Sequence, residues 1–310
     1  MPSRRGCIAG ITAGNRNDRR MTSVLHNLIS ELEQDDLLFE PNRLRERSDV
    51  LDRLETYLAC DLPQDLDIQG VELQGRIKAL CASIEAIDGR LYQSIRQDIQ
   101  RGEGARRLLE WVPAVGSDEH ANNPVGGDSY DYLDVLISGV LQIDEPDAQA
   151  GELATEMVFY QPTPARHIFD MVGRSALNEH DVLIDLGSGL GHVPLLAAIC
   201  TGARCIGIEW EPIYVDCARR CADALNLSRA TFIQQDARTA DLSAGTVFYL
   251  YTPFTGTMLR DVLGRLKGEA AKRKIRICTL GPCTATVARE SWLEAVGVQE
   301  VHRPALFHSV

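Results

Sequence analysis

The chain has 310 residues, 45% of them hydrophobic and 25% charged, with a formal charge of −12. That balance is globular rather than disordered, and no apolar run approaches the roughly 20 residues that cross a bilayer. An acidic surface repels a phosphate backbone, so nucleic acid is disfavoured as a partner and no membrane association is expected.

In chain order, residues 1–20 hold five arginines and one aspartate and read as a basic, flexible terminus. They lack the apolar centre of a secretory signal, which points to a cytoplasmic protein. Residues 21–112 read as a helical domain. Its clearest element is an apolar stripe of Ile77, Leu80, Ile84, Ile87, Leu91, Ile95 and Ile99 at helical spacing. Val50, Leu51, Leu54 and Leu58 form an earlier stripe able to pack against it, with "CDLPQDLDIQG" as the turn. This domain is also a candidate homodimer contact. Residues 113–131 are rich in Gly, Pro, Asn and Asp and read as a linker. The domain from 132 to 310 opens with a helix burying Tyr132, Leu133, Leu136, Val140 and Leu141.

Beyond Leu177 short apolar segments alternate with helical ones. The strand candidates are 182–186, 204–209, 230–235, 246–251 and 274–280; the helices are His192–Cys200, Pro212–Leu225 and Thr257–Lys267. Such alternation implies an α/β domain with a parallel sheet covered on both faces. "VQEVHR" (298–303) and "ALFHSV" (305–310) suggest a closing hairpin that makes one edge antiparallel. The nine cysteines include no C-x-x-C pair, and Cys217 and Cys221 have no histidine nearby to complete a tetrahedron, so no metal site is expected. They read as small buried residues of a reducing compartment.

Between the first strand and the next helix lies "DLGSGLGHV". A strand, a glycine turn and a helix suggest a nucleotide-like cofactor at the strand's carboxyl end. Dinucleotide sites use G-x-G-x-x-G, whereas here Gly187, Gly189 and Gly191 form G-x-G-x-G, with Ser188 between the first two. Asp185 precedes them. Its carboxylate would repel a pyrophosphate and attract a cation. S-adenosylmethionine carries an ammonium and a sulfonium and no phosphate, so it is the expected cofactor. Glu209 ends the next strand, where a carboxylate can accept from ribose hydroxyls. Trp210 is placed to cover the adenine. Asp236 and the Ala237 amide are placed to bond the adenine edge.

The series "VLIDLGSGLGHV", "CIGIEWEP" and "IQQDAR" resembles the motifs of class I S-adenosylmethionine-dependent methyltransferases over roughly residues 155–310. The resemblance implies a Rossmann-like seven-stranded, mostly parallel sheet with an antiparallel last strand. It also implies cofactor binding by Asp185, Gly187, Gly189, Glu209 and Asp236. "MVFYQPTPARHIFDMV" resembles the segment that lies over the methionine end of the cofactor in protein methyltransferases, which puts Tyr160, Gln161, Pro162 and Thr163 beside the reacting methyl. Thr163 is also a candidate helix cap.

At the fourth strand end, Tyr251, Pro253 and Phe254 are expected to wall an apolar substrate channel. The Asn or Asp of adenine and glutamine methylation is absent at Tyr251. The turn also resembles the non-SET histone-lysine methyltransferases, although those carry Gly-Glu-Thr where this chain has Gln161, Pro162 and Thr163, and paired asparagines near the positions of Tyr251 and Thr252. The expected function is therefore methyl transfer to a small-molecule or protein acceptor, lysine included. Catalytic residues are unassigned, with Tyr160, His167 and Tyr251 as candidates, His167 reading more as a structural residue. The alternatives are a noncatalytic partner-binding protein on the same fold, and an NAD-dependent oxidoreductase.

Overall fold

A computed structural model describes residues 24–58, 68–113, 130–143, 146, 158, 160–297, 299 and 303–310. The chain forms two compact units, one ending at Leu91 and one running from Tyr92 to Val310. No helix among the described residues is long and apolar enough to cross a membrane.

The first unit is helical. It contains α1 (residues 24–34), a 3-10 turn over Asp36–Phe39, α2 (Leu44–Thr56) and the start of α3 (Ile68–Gln100). The two stripes meet as read, with Val50 and Leu54 packing with Leu73, Ile77, Leu80 and Ile84 in one core. Residues 59–67, most of the expected turn, lie outside the described residues. One polar pair sits inside this unit. Arg47, with no exposed surface, donates from Nε to Asp88 Oδ1 at 2.7 Å and from Nη1 to the Leu38 carbonyl at 3.1 Å. Burial pushes the Asp88 carboxyl up, against the pull of Arg47.

The division falls some twenty residues before the composition changes, because the end of α3 packs within the second unit. The Tyr92 ring lies where a Cβ on Gly139 would stand, Arg96 donates to the Leu141 carbonyl at 3.1 Å and Gln100 to that of Ala224 at 2.8 Å. Most of the expected linker, residues 114–129, lies outside the described residues.

The second unit is a seven-stranded sheet in the order β3-β2-β1-β4-β5-β7-β6. Its strands are β1 (Val182–Leu186), β2 (Arg204–Glu209), β3 (Ala230–Gln234), β4 (Val247–Tyr251), β5 (Arg276–Leu280), β6 (Leu293–Val296) and β7 (Ala305–Ser309). The first five pair in parallel, and β7 runs antiparallel to both β5 and β6. Its helices after α3 are α4 (Gly104–Leu109), α5 (Tyr132–Leu141), α6 (Ala165–Ser175), α7 (His192–Thr201), α8 (Pro212–Ala224), α9 (Gly256–Ala270) and α10 (Cys283–Val287). β1 lies central, buried between β2 and β4, so its carboxyl end opens where the strand order reverses, the usual place for a ligand in such sheets.

Two local readings need correction. The first strand of the closing hairpin is Leu293–Val296, not 298–303; of the latter stretch 298 and 300–302 lie outside the described residues. Buried Trp292, bonded from Nε1 to Glu290 at 2.6 Å, anchors the strand's start, and Gly297 at φ +72° ends it. Thr163 does not cap α6. Pro164 holds the cap position with no side-chain bond, and the Thr163 hydroxyl instead lies 3.2 Å from that of Tyr249.

α5 begins with a reciprocal cap. The Leu133 amide donates to Asp131 and the Asp131 amide to Asp134, both at 2.8 Å. The second oxygen of Asp134 accepts the Ala165 amide at 2.7 Å, which ties the start of α6 to α5.

Just ahead of β1, Asp181 accepts from Arg276, from the Thr246 hydroxyl at 2.8 Å and from the Asn178 amide at 3.1 Å. Burial raises its carboxyl, but the Arg276 and Thr246 bonds outweigh this and hold it below the usual range. A depressed carboxylate stabilises above its unfolded pKa and loses that contribution as pH falls through the folded value. Chemical denaturation of wild type and Asp181→Asn should therefore differ at pH 7 and converge as pH falls below about 4.

Candidate functional site

The turn after β1 is built by hydrogen bonds to β2. The amides of Gly187 and Ser188 donate to the Ile208 carbonyl at 2.9 and 3.0 Å. The Gly189 amide donates to Glu209 Oε2 at 2.7 Å, and the Glu211 amide to Oε1 at 2.9 Å. Glu209 thus closes its own loop, and each oxygen keeps a lone pair for a ligand hydroxyl. Burial pushes its carboxyl up against those amides.

The three glycines have φ of +86°, +51° and +84°, which favours glycine. Much of what approaches them is protein. A Cβ on Gly189 would stand 2.0 Å from the Tyr160 ring, one on Gly187 2.3 Å from Pro253, and one on Gly191 2.5 Å from Phe232. Gly189 and Gly191 therefore seat side chains and shape the turn, and neither lines the adjoining cavity.

That cavity, of about 570 Å³, lies at the carboxyl ends of β1, β2 and β4. It brings together Tyr160, Gln161, Pro162 and Thr163 from the upstream segment, Asp185, Gly187 and Ser188 from the turn, and Glu209, Trp210, Asp236 and Ala237. Tyr251, Pro253 and Phe254 complete the expected set. His167 does not line it. That side chain is buried in α6, so a catalytic part for it is set aside.

Asp185 is 3% exposed. Desolvation, then the charge of Glu209, raises its carboxyl well above the usual range, and no hydrogen bond to it offsets this among the described residues. Ser188 Oγ is likewise buried without a partner among the described residues. Two buried acceptors facing one cavity suit a ligand that brings N–H and O–H donors and positive charge. An anionic diphosphate would meet two acids there.

Asp236 differs from expectation. Arg238 donates to both its oxygens at 2.6–3.1 Å, as does its own amide to Oδ1 at 2.8 Å, and the Arg238 bond holds the carboxyl down. A ligand amine at Asp236 must share it with that guanidinium. The sequence reading also missed four groups. Tyr214 stacks obliquely on Tyr160, ring centroids 5.1 Å apart. His192 lies with Nδ1 3.2 Å from the Tyr160 hydroxyl. Tyr249 is buried, and desolvation raises its hydroxyl well above the usual value. Thr252 follows β4 at φ +39°, a strained position for a β-branched residue, held by its bonds to the Leu280 carbonyl and the Cys283 amide at 3.1 Å each.

Residues 153–246, which hold the turn and both buried acids, match the family model of the histone methylation protein DOT1. This stretch of the chain is similar to DOT1. A histone-lysine N-methyltransferase, H3 lysine-79 specific, from Cryptococcus neoformans is 30% identical over 145 residues, covering 43% of this chain and 20% of the relative. The chain thus spans about a fifth of the length of the curated relatives it matches. Solved structures that superpose in part include an RNA methyltransferase from Salinibacter ruber in complex with S-adenosyl-L-homocysteine, at 26% identity and TM-score 0.40, over 48% of this chain and 92% of that one. A precorrin-6y C5,15-methyltransferase from Geobacter metallireducens superposes at 17% identity and TM-score 0.36, over 51% and 91%. The sheet order and the DOT1 match agree with the class I methyltransferase fold that the motif series implies.

Proposed function

We propose that the DOT1-like cavity binds S-adenosylmethionine and that the chain transfers its methyl group to a protein lysine nitrogen. The observation that carries the cofactor reading is the buried Asp185 beside the glycine turn, which has no hydrogen-bond partner among the described residues. Asp185 would hold the ammonium and Glu209 the ribose, with Ser188, Trp210, Ala237 and the shared Asp236 along the rest of the ligand. Tyr160, Gln161, Pro162 and Thr163 would border its methionine end. When bound, the cofactor supplies an electrophilic methyl on a cationic sulfur.

The residues around it align and exclude water. Tyr251, Pro253 and Phe254 wall an apolar approach for the nucleophile, whose N–C bond forms as the C–S bond breaks. Among the described groups in the cavity, His192 is held at about 4 and Tyr249 far above neutrality, so neither suits proton removal at pH 7. The acceptor proton would leave to solvent.

The lysine reading rests on the DOT1 match and on the −12 charge, which suits a basic protein substrate. A small-molecule acceptor is the second reading. It is favoured by Gln161, Pro162, Tyr251 and Thr252 standing where the non-SET enzymes carry other residues. The described cysteines are free thiols, as a cytoplasmic protein would keep them.

The test incubates the full chain with methyl-labelled S-adenosylmethionine and either core histones or fractionated cytoplasmic extract. Label in methyl-lysine supports the proposal, and label in small metabolites alone favours the second reading. Cofactor binding without transfer identifies a noncatalytic binder. Quenching of nicotinamide fluorescence on mixing would instead favour an oxidoreductase.

A further inference from the structure

Two cavity groups missed in the sequence, His192 and Tyr214, both converge on Tyr160. The Tyr160 ring lies against the Gly189 backbone, leaving no room for a Cβ, and also meets the Tyr214 ring. Its hydroxyl ends 3.2 Å from His192 Nδ1. We propose that His192 is a positioning residue: its Nδ1 accepts the Tyr160 hydroxyl hydrogen and so reserves the Tyr160 oxygen as an acceptor for the ammonium of the bound cofactor. This rests on the cofactor reading above.

The direction of the bond follows from chemistry. A phenol is a far stronger acid than a neutral imidazole N–H, and an imidazole nitrogen is a better acceptor than a phenolic oxygen. The favoured arrangement therefore puts the imidazole proton on Nε2 and the phenol hydrogen toward Nδ1. Burial keeps the ring neutral, holding its pKa at about 4. Its place as the first residue of α7, after the left-handed Gly191, acts in the same sense, since a helix N-terminus disfavours a cation. A phenol whose single hydrogen is engaged can offer a ligand only lone pairs. Tyr160 thereby selects a donor and works beside Asp185, which also only accepts while ionised.

The experiment has two readouts on the full chain. Nitrogen-15 NMR of histidine-labelled protein, with His192 assigned from the His192→Gln spectrum, is expected to show a bare Nδ1 and a protonated Nε2. That tautomer should persist down to a pH of about 4 and relax toward a mixture in Tyr160→Phe. Calorimetry with S-adenosylhomocysteine, which keeps the ammonium, is expected to show affinity falling about tenfold in both Tyr160→Phe and His192→Phe. The double variant should lose no more, and His192→Gln, which retains an acceptor, should return to within about threefold of wild type. A proton on Nδ1, additive losses in the double variant, or no recovery with glutamine overturns the assignment. If wild type binds no S-adenosylhomocysteine, the cofactor reading and the ammonium contact fall together, while the tautomer still decides the His192–Tyr160 bond.

Discussion

Replacing Asp185 with asparagine should weaken S-adenosylmethionine binding by about 10- to 100-fold, the loss expected when one hydrogen bond to a charged group becomes neutral. The same variant should be more stable than wild type without ligand. The reason is the sign of the shift. The folded carboxyl lies above its unfolded value, so its contribution to stability is fully present below the unfolded pKa and is lost as pH rises through the folded one. At neutral pH the ligand-free protein carries that cost, and asparagine removes it. Wild-type affinity should also rise with pH across the folded pKa, with proton release visible as a buffer-dependent binding enthalpy. Asp185→Asn should lose both effects. A variant that is less stable and binds as tightly as wild type would remove Asp185 from the site and leave it a packing residue.

The second large effect is expected in the helical unit. Asp88→Ala leaves Arg47 buried among the Leu38, Glu40 and Pro41 carbonyls with no counter-charge. Breaking a buried pair from one side typically costs about 3–5 kcal/mol, because the remaining charge is uncompensated. Hydrogen exchange along α2 should therefore speed up by at least about 100-fold. A double replacement by matched apolar residues, Arg47→Met with Asp88→Leu, should cost far less, since the raised Asp88 carboxyl shows how much desolvation the pair bears. If the double variant is as unstable as Asp88→Ala, the carbonyl bonds of Arg47 matter more than its charge.

How much of this was legible in the sequence depends on how local each feature is. The parallel strands announced themselves as short apolar runs because they are covered on both faces. Asp185 and Glu209 stood out as acids at the ends of such runs. Features set by distant parts of the chain did not. Nothing in "GHVPLL" says that its histidine meets a tyrosine thirty-two residues earlier. "QQDAR" contains the arginine that occupies Asp236, but not the rotamer that brings it there. Periodicity carried the α3 stripe through Leu91 without a break, so it hid the change of unit. It also passed over Asp88, which is buried through Arg47 rather than through apolarity. The β6 strand was missed because three of its four residues have exposed side chains and only the following glycine marks its end.

The double duty of Asp134 bears on where a fragment built around the cavity can begin. A piece cut at the bounds of the DOT1 match, residue 153, would lack that carboxylate and leave the Ala165 amide without its acceptor. It would also lose the Tyr130 hydroxyl that holds the Pro162 carbonyl at 3.0 Å. Residues 160–164, which would border the methionine end of the proposed ligand, would lose both ties and keep the Tyr160–His192 and Thr163–Tyr249 contacts. The smallest piece that keeps both bonds therefore starts ahead of Tyr130, in a stretch that no sequence motif marks.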